Sequence, residues 1–403
     1  MYVERLGLTD FRNYATAEVA LGAGVSVFTG PNGQGKTNLV EAVEYLATLS
    51  SHRVAGDVPL VRVGTAQAIV RALVVAGVDD PRTLLLEAEI NLGRPNRARV
   101  NRAPQRSPRD LLGGLRVVTF APDDLALVQG DPAGRRAFLD ALVAARWPRL
   151  AGVQADYDRA LRQRNALVKS LAGRGGRLTE EAAASLDVWS EHLAGHGAEV
   201  MRARLATLSA LTPYVAQAYA DIAPANDRAD AAYQTRSPLG DCPADAEPAD
   251  QTEALRVGLL DLMAQRRADE LRRGVSLVGP HRDDVVLSLG DLPARGYASH
   301  GEGWSLALAL RLGAFALLRA DGTVPVLILD DVFAELDAIR RSRLARTVLG
   351  AEQILVTAAV AADVPDDLRG RAFRVDSGTV IQVSTSGDDV GPGPDAEAVS
   401  PDA

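Results

Sequence analysis

Eight consecutive residues carry the strongest chemical signal in the chain: Gly30, Pro31, Asn32, Gly33, Gln34, Gly35, Lys36 and Thr37. They fit the spacing G-x-x-x-x-G-K-[ST]. An apolar, strand-like run ending in Val27-Phe28 precedes them, and a helical pattern with Leu39, Val40, Val43, Leu46 and Ala47 on one face follows. Glycines allow a backbone to wrap an anion, and the start of a helix offers free N–H groups to its oxygens. Lys36 is placed to hold β- and γ-phosphates and the Thr37 hydroxyl to ligate Mg²⁺, so ATP is the expected ligand, with Gly30 through Asn38 as its binding stretch. The chain has 44 Lys+Arg but only two lysines, Lys36 and Lys169. A lysine kept against such an arginine bias suits a role as a compact point charge.

A second group is Val326-Leu327-Ile328-Leu329-Asp330-Asp331. Four apolar residues predict a buried strand, and acids at its C-terminal end point into a phosphate crevice. Asp330 is expected to hold Mg²⁺ through water and Asp331 to orient or deprotonate an attacking water. That makes Lys36, Asp330 and Asp331 the expected catalytic set. Roughly 290 residues separate the two groups, too many for a compact phosphate-binding domain and consistent with an inserted arm.

The elements that must position these residues follow from periodicity. The first 30 residues alternate like strands, and strand-like runs return at AIVRALVV, TLLLEAEI and LRVVTF. Asp131-Pro132 opens a helix, and segments of about 149–171 and 179–211, joined by Gly-Arg-Gly-Gly, predict an antiparallel helical arm. Residues 223–251 lack a period and read as a flexible loop, before a helix of about 252–272. The order is strand-rich, helical, then strand-rich. It predicts an α/β fold in which residues 1–121 and 276–385 form one head, residues 122–275 an inserted helical arm, and residues 386–403 a disordered acidic tail.

Composition excludes several classes. The net charge of -8 argues against a uniformly basic nucleic-acid binder but leaves room for a local basic patch. The single cysteine rules out a disulfide framework and a cysteine zinc site. No apolar run approaches the roughly 18 residues of a membrane span and no signal core opens the chain, so a cytoplasmic location with no membrane partner is expected. His192 and His196 are spaced like two metal ligands but lack a third, which favours a helix surface.

Two further motifs place the chain in a class. Ser299-His300-Gly301-Glu302 opens a helix and Glu335-Leu336-Asp337 follows the acid pair. They resemble the signature motif and the D-loop of ABC-type ATPases, in which the signature serine and helix start bind the γ-phosphate of ATP held by a second subunit. Ser299 and Gly301 are then the in-trans γ-phosphate residues and Asp337 the D-loop acid.

Phe11-Arg12-Asn13-Tyr14, GPNGQGKTNLVEAVEYL, Ser51-His52-Arg53, PDDL with GDPAGRRAFLD, Gly279-Pro280-His281-Arg282-Asp283-Asp284 and LILDDVFAELD resemble, in order, blocks of the RecF family. The resemblance covers nearly the whole chain except 223–251 and the tail. It implies an ABC-type ATPase head with a short arm, ATP-dependent homodimerisation on double-stranded or gapped DNA, and weak DNA-stimulated hydrolysis. It also implies work with RecR and RecO to load RecA in repair, recombination, replication and the SOS response. The chain departs from the common signature Ser-Gln-Gly-Gln-Gln-Arg: here it reads Ser299-His300-Gly301-Glu302-Gly303-Trp304. No histidine follows QILVT, where transporter-type proteins place a switch histidine, and Thr357 is the nearest polar residue. Aspartate rather than glutamate after Asp330 points to slow hydrolysis, as in a switch.

Arg94, Arg97, Arg99, Arg102, Arg106 and Arg109 form a cationic stretch that reads either as a phosphate-binding stripe without sequence preference or as a solvated hairpin, and Arg135 with Arg136 is a second candidate, for which domain-interface ion pairs are the equal alternative. Two other classes share parts of the pattern. A transporter nucleotide-binding subunit has the head, but the arm and the RecF-like blocks speak against it. A non-catalytic DNA scaffold would not need Lys36, Thr37, Asp330 and Asp331.

Overall fold

The computed structural model describes residues 1–54, 56–172, 179–223, 228–236 and 247–383. The chain begins with β1 (Tyr2–Phe11), β2 (Tyr14–Ala20), β3 (Gly24–Thr29), α1 (Lys36–Thr48), β4 (Gln67–Gly77), β5 (Asp80–Asn91), β6 (Arg97–Val100), β7 (Ala103–Pro104) and β8 (Val117–Phe120). Helices α2 (Leu125–Gln129), α3 (Pro132–Arg146), α4 (Leu150–Ala172) and α5 (Glu180–Ile222) follow. After β9 (Ala229–Gln234) and α6 (Pro248–Arg273) come β10 (Asp284–Leu289), β11 (Leu292–Pro293) and the one-turn α7 (Ala294–Tyr297). The chain continues with α8 (His300–Ala320), β12 (Val326–Asp330), α9 (Ala338–Val348), β13 (Gln353–Ala358), β14 (Arg371–Asp376) and β15 (Thr379–Val383).

Two six-stranded sheets enclose α1. One is antiparallel throughout, in the order β2-β1-β4-β5-β6-β7. Its alternation is clean: Leu6, Leu8, Val70, Ala72, Leu86 and Ala88 are buried in one core with Leu39, Val40, Val43 and Leu46 of α1. The other has the order β15-β14-β3-β13-β12-β8 and is parallel across β14, β3, β13, β12 and β8. Strands β12 and β13 are buried at every position, which is why VLIL and ILV read as apolar runs without alternation. Gln353 fastens the two sheets together. Its side chain accepts from the Val3 N–H and donates to the carbonyls of Val3 and Gly22, all at 2.8 Å.

Helix α8 covers the other face of the parallel sheet, with Leu306, Leu308, Leu310, Phe315 and Leu317 in a core shared with α2, α3 and the second half of α5. Against the expectation that no segment could span a membrane, α8 has the length and composition to do so. The 78% burial of its most apolar window marks it as a core helix. Helix α5 also runs past its expected end near 211 and through Pro213 to Ile222. A proline inside a helix costs about 3 kcal/mol. Here the buried face of Leu208, Leu211, Val215, Tyr219 and Ile222 offsets it by packing in the α8 core.

The segment 223–251 is not wholly a loop. Residues 229–234 form β9, which pairs antiparallel with β10 from Ala229–Leu289 to Gln234–Asp284. Its Ala229 and Ala231 are buried, and small residues gave this strand no visible alternation in the sequence. Helix α6 starts at Pro248 rather than near 252. Residues 237–246, the Gly-Arg-Gly-Gly turn and the acidic tail lie outside the described residues.

Candidate functional site

The C-terminal ends of the parallel strands converge at one crevice. In register, Asp330 of β12 lies beside Thr357 of β13, and Thr357 beside Phe28 of β3. The glycine-rich turn starts two residues beyond Phe28. Gly30 has φ 152, and a side chain there would meet the Val375 carbonyl at 2.3 Å, so the approach to β14 admits only glycine. Gly35 has φ 115 and is walled in by the Asn13 and Tyr14 side chains at 2.7 to 2.8 Å from where a Cβ would stand. It forms the start of α1 with no side-chain cap, which leaves the first N–H groups of the helix facing the turn.

The Lys36 ammonium, buried at 3% exposure, donates to the carbonyls of Gly30 (2.8 Å) and Pro31 (3.2 Å) and to Asn32 Oδ1 (3.4 Å). Thr37 Oγ1 donates to Asp330 Oδ1 at 2.9 Å, joining groups 293 residues apart. Thr357 Oγ1 donates to the same oxygen at 2.6 Å and accepts from the Asp331 N–H at 3.0 Å. Burial raises the Asp330 pKa, opposed by the two threonine hydroxyls, while the charge of Asp331 adds to the rise. Asp331 itself sits in the left-handed region, φ 51, a strained conformation for a residue with a side chain. It lines a cleft of about 190 Å³ with Asn32, Pro122, Glu335, Thr357 and Asp363.

Magnesium fits the donor set at the centre. One hydroxyl and one carboxylate, Thr37 and Asp330, match the sparse oxygen ligation that Mg²⁺ takes from protein beside phosphates and water. No group of three or more His, Cys, Asp or Glu stands ready for another metal among the described residues.

The turn is braced by residues that the sequence marked without explaining. The Tyr14 hydroxyl donates to the Gly35 carbonyl at 2.9 Å, and Asn13 Nδ2 donates to the Gln34 carbonyl at 2.9 Å. Gln34 Oε1 accepts from the Ser377 N–H at 2.8 Å. Asn38, expected among the ATP contacts, commits its amide to Asn13 and Arg53 at 2.8 Å each. On the inner side of α1, Glu41 is fully buried and accepts from Arg12, Ser51 and Arg53. His52 pairs with Glu44. Burial opposes the imidazolium, but the Glu44 hydrogen bond and charge, with Asp330 and Glu41, outweigh it and raise the His52 pKa. Two glutamates on the apolar face of a helix were the signal for this network.

Ser299, Gly301 and Asp337 form a second group. Ser299 is the N-cap of α8: its Oγ accepts from the Glu302 N–H at 3.3 Å and Glu302 accepts from the Ser299 N–H at 2.8 Å. Asp337 caps α9 through the Arg340 N–H at 2.9 Å. Among the described residues, no hydrogen bond ties this group to Gly30–Thr37.

The cationic candidates divide. Arg97, Arg102, Arg106 and Arg109 are exposed on or beside the β6–β7 hairpin. Arg99 shares Glu87 with Arg71 across the sheet, and Arg94 is bonded to Asn91 at 2.8 Å and to Gln67. Arg135 leaves the set of phosphate contacts. Its side chain is 6% exposed and forked onto Asp284 at 2.8 and 2.9 Å. Arg136 donates to the Asp283 carbonyl at 2.7 Å. The block Gly279–Asp284 is thus a joint: His281 meets the Tyr157 hydroxyl at 2.6 Å, and Asp283 accepts from Tyr233 at 2.8 Å.

The comparisons agree with this geometry. A family model described as the RecF/RecN/SMC N terminal domain matches residues 2–364. A protein of Cutibacterium acnes named DNA replication and repair protein RecF is 59% identical over 96% of this chain and 100% of its own length. One of the same name from Streptomyces avermitilis is 53% identical over 95% of this chain and all of its own. A solved structure of "the recombination mediator protein RecF-ATPrS in RecFOR pathway" superposes with a TM-score of 0.83 at 26% identity, covering 95% of this chain and 98% of that one. An Smc head bound to the C-terminal winged-helix domain of ScpA shares the fold at a TM-score of 0.52 and 15% identity, over 96% of this chain and 98% of its own.

Proposed function

The chain belongs to the RecF family, and from that premise we propose that it is an ATP-dependent DNA-binding protein of recombinational repair and replication maintenance. ATP binds at Gly30–Thr37, and two heads close around two nucleotides. The closed pair holds duplex or gapped DNA and works with RecR and RecO to load RecA, as a cytoplasmic protein. The observation that carries this reading is the Thr37–Asp330 hydrogen bond at the mouth of the glycine-rich turn. It brings a hydroxyl and an acid from opposite ends of the chain to one place beside Lys36.

On this reading each residue has a role that the geometry supports. The N–H groups at the start of α1 and the Lys36 ammonium bind the phosphate oxygens, for which Lys36 exchanges its present carbonyl partners. When bound, Mg²⁺ held by Thr37 and Asp330 would neutralise phosphate charge. Thr357 fixes the orientation of Asp330. Asp331, aimed by its left-handed backbone into the cleft, orients the attacking water and takes its proton. Its short side chain suits slow turnover, with hydrolysis as the release step. The exposed Arg97, Arg102 and Arg106 are the DNA-facing cations.

The test is duplex binding by fluorescence anisotropy with and without ATP and Mg²⁺, for the wild type, Lys36→Ala and Asp331→Asn. ATP should tighten wild-type binding, Lys36→Ala should lose that gain, and Asp331→Asn should keep it while hydrolysing poorly. DNA binding indifferent to ATP in the wild type overturns the nucleotide-gated reading.

A further inference from the structure

Arg340 joins the Ser299 turn at the start of α8 to Asp337 at the start of α9. Its Nε donates to Ser305 Oγ at 2.9 Å, and Ser305 in turn donates to the Gly301 carbonyl at 2.9 Å. At its other edge the guanidinium donates to Asp337 Oδ2 at 2.5 Å, while the Arg340 backbone N–H holds Asp337 Oδ1. The guanidinium also lies against Gly301. A Cβ there would stand 2.9 Å from Nη2 and 3.4 Å from Cζ. The first turn of α8 and the first turn of α9 are therefore clamped by one side chain, which is 20% exposed and bonded at both edges.

We propose that Arg340 is a positioning residue that makes the Ser299 turn and Asp337 move as one block. Capture of a terminal phosphate by Ser299 then sets Asp337 at the partner's nucleotide. The inference rests on the reading that two heads close around ATP. A planar fork suits this task because it bonds along two edges while its face covers a glycine. Ser305 and Gly301 belong to the same contact, one as the acceptor and the other as the surface on which the guanidinium lies.

The test uses the full chain and the variants Arg340→Ala, Arg340→Lys, Ser305→Ala and the double variant Ser305→Ala/Arg340→Ala. Three readouts are taken: binding of a fluorescent ATP analogue to the protomer, ATP-dependent dimerisation by sedimentation, and kcat at saturating ATP. Arg340→Ala should leave analogue affinity within about two-fold and lower kcat by roughly 10- to 100-fold, as a misplaced reacting group does. Arg340→Lys should not restore it, because an ammonium cannot bond at both edges. Ser305→Ala, which removes the acceptor on α8, should also lower kcat, and added to Arg340→Ala it should have little further effect.

Additive effects in that cycle overturn the proposal. So does a wild-type kcat in Arg340→Ala, or loss of analogue binding together with melting temperature, the mark of a merely structural residue. A wild type that neither dimerises nor turns over with ATP removes the underlying reading, and the proposal with it. A wild type that does both while Arg340→Ala matches it removes the proposal alone.

Discussion

In the phosphate crevice Asp330 and Asp331 form no salt bridge among the described residues, whereas at the arm root, where α3 to α6 meet β10, several buried arginines are paired with acids. Asp330 is buried and held by two threonine hydroxyls, with no salt bridge among the described residues, and its pKa is raised. At the arm root, Arg164 is fully buried and bonded to Ser190, Ser276 and Glu270. Arg204 forks onto Asp140 at 2.7 Å, and Arg135 forks onto Asp284. A site that must take up and release a polyanion and its cation keeps unmatched charge in reserve. A joint between helices and sheet has no such need, and matched charge makes it stiff.

The largest way to break this contrast is at the buried Arg164–Glu270 pair. Arg164→Ala leaves Glu270 charged in the interior and should cost about 3–5 kcal/mol, read as a lowered melting temperature and faster hydrogen exchange in α4, α5 and α6. Replacing both, as Arg164→Met with Glu270→Leu, should recover most of the loss. A single variant as stable as the wild type would mean that the pair is hydrated and the joint softer than its geometry.

His281 sharpens the same contrast through pH. Burial lowers its pKa to about 4, with the positive charges of Arg282, Arg136 and Arg164 adding to the drop. The folded form therefore binds fewer protons than the unfolded chain between pH 6.5 and 4. Stability is highest above pH 6.5 and falls as pH drops through that window, by about 1.4 kcal/mol per unit within it, with no further loss from this group below pH 4. At pH 5 the loss approaches about 2 kcal/mol. Melting curves for the wild type and His281→Phe across pH 5 to 7 check this. The variant, whatever its baseline, should lose that part of the slope.

Legibility in the sequence divides along the same line. The crevice depends on contiguous residues whose types are dictated by backbone geometry and phosphate chemistry, so Gly30–Thr37 and Asp330-Asp331 could be read directly, and the buried strands with them. The joint depends on pairs such as Arg164 with Glu270 and Arg135 with Asp284, separated by 106 and 149 residues. Nothing local separates the two readings of Arg135, phosphate contact or domain-interface ion pair, and its burial against Asp284 favours the second. Strand β9 was hidden because Ala229 and Ala231 are small enough to fill the core without an apolar alternation. Arg340 escaped notice because its meaning lies in Gly301 and Ser305 on another helix. The last turns of α5, from about 212 to Ile222, run through Pro213, where local propensity disfavours a helix and burial in the α8 core overrides it.

A subtler probe stays inside the crevice. Thr357 donates to Asp330 and so stabilises its ionised form against burial. Thr357→Val removes that donor and should raise the Asp330 pKa further. The acid limb of the ATPase pH profile should move to higher pH, as loss of a hydrogen bond to the charged form requires. Activity should recover at alkaline pH. An unshifted profile would show that the bond serves the Asp331 backbone alone.

The smallest effects belong to the surface, where the contrast between matched and unmatched cations becomes a contrast in salt dependence. Arg97, Arg102 and Arg106 are exposed, and each is free to neutralise a phosphate. Replacing one by alanine should weaken duplex binding uniformly across sequences and reduce the slope of log affinity against log salt by about 0.9. Arg135→Ala should do the reverse. It destabilises the joint by leaving Asp284 and the Leu127 and Gly130 carbonyls without their donor, yet leaves the salt slope of the folded protein unchanged. The slope is the deciding observable because affinity alone falls in both cases, once from a lost contact and once from a smaller folded fraction. A slope reduced in Arg135→Ala and unchanged in Arg97→Ala would place the DNA on the arm root rather than on the hairpin, and burial would then have to open on binding.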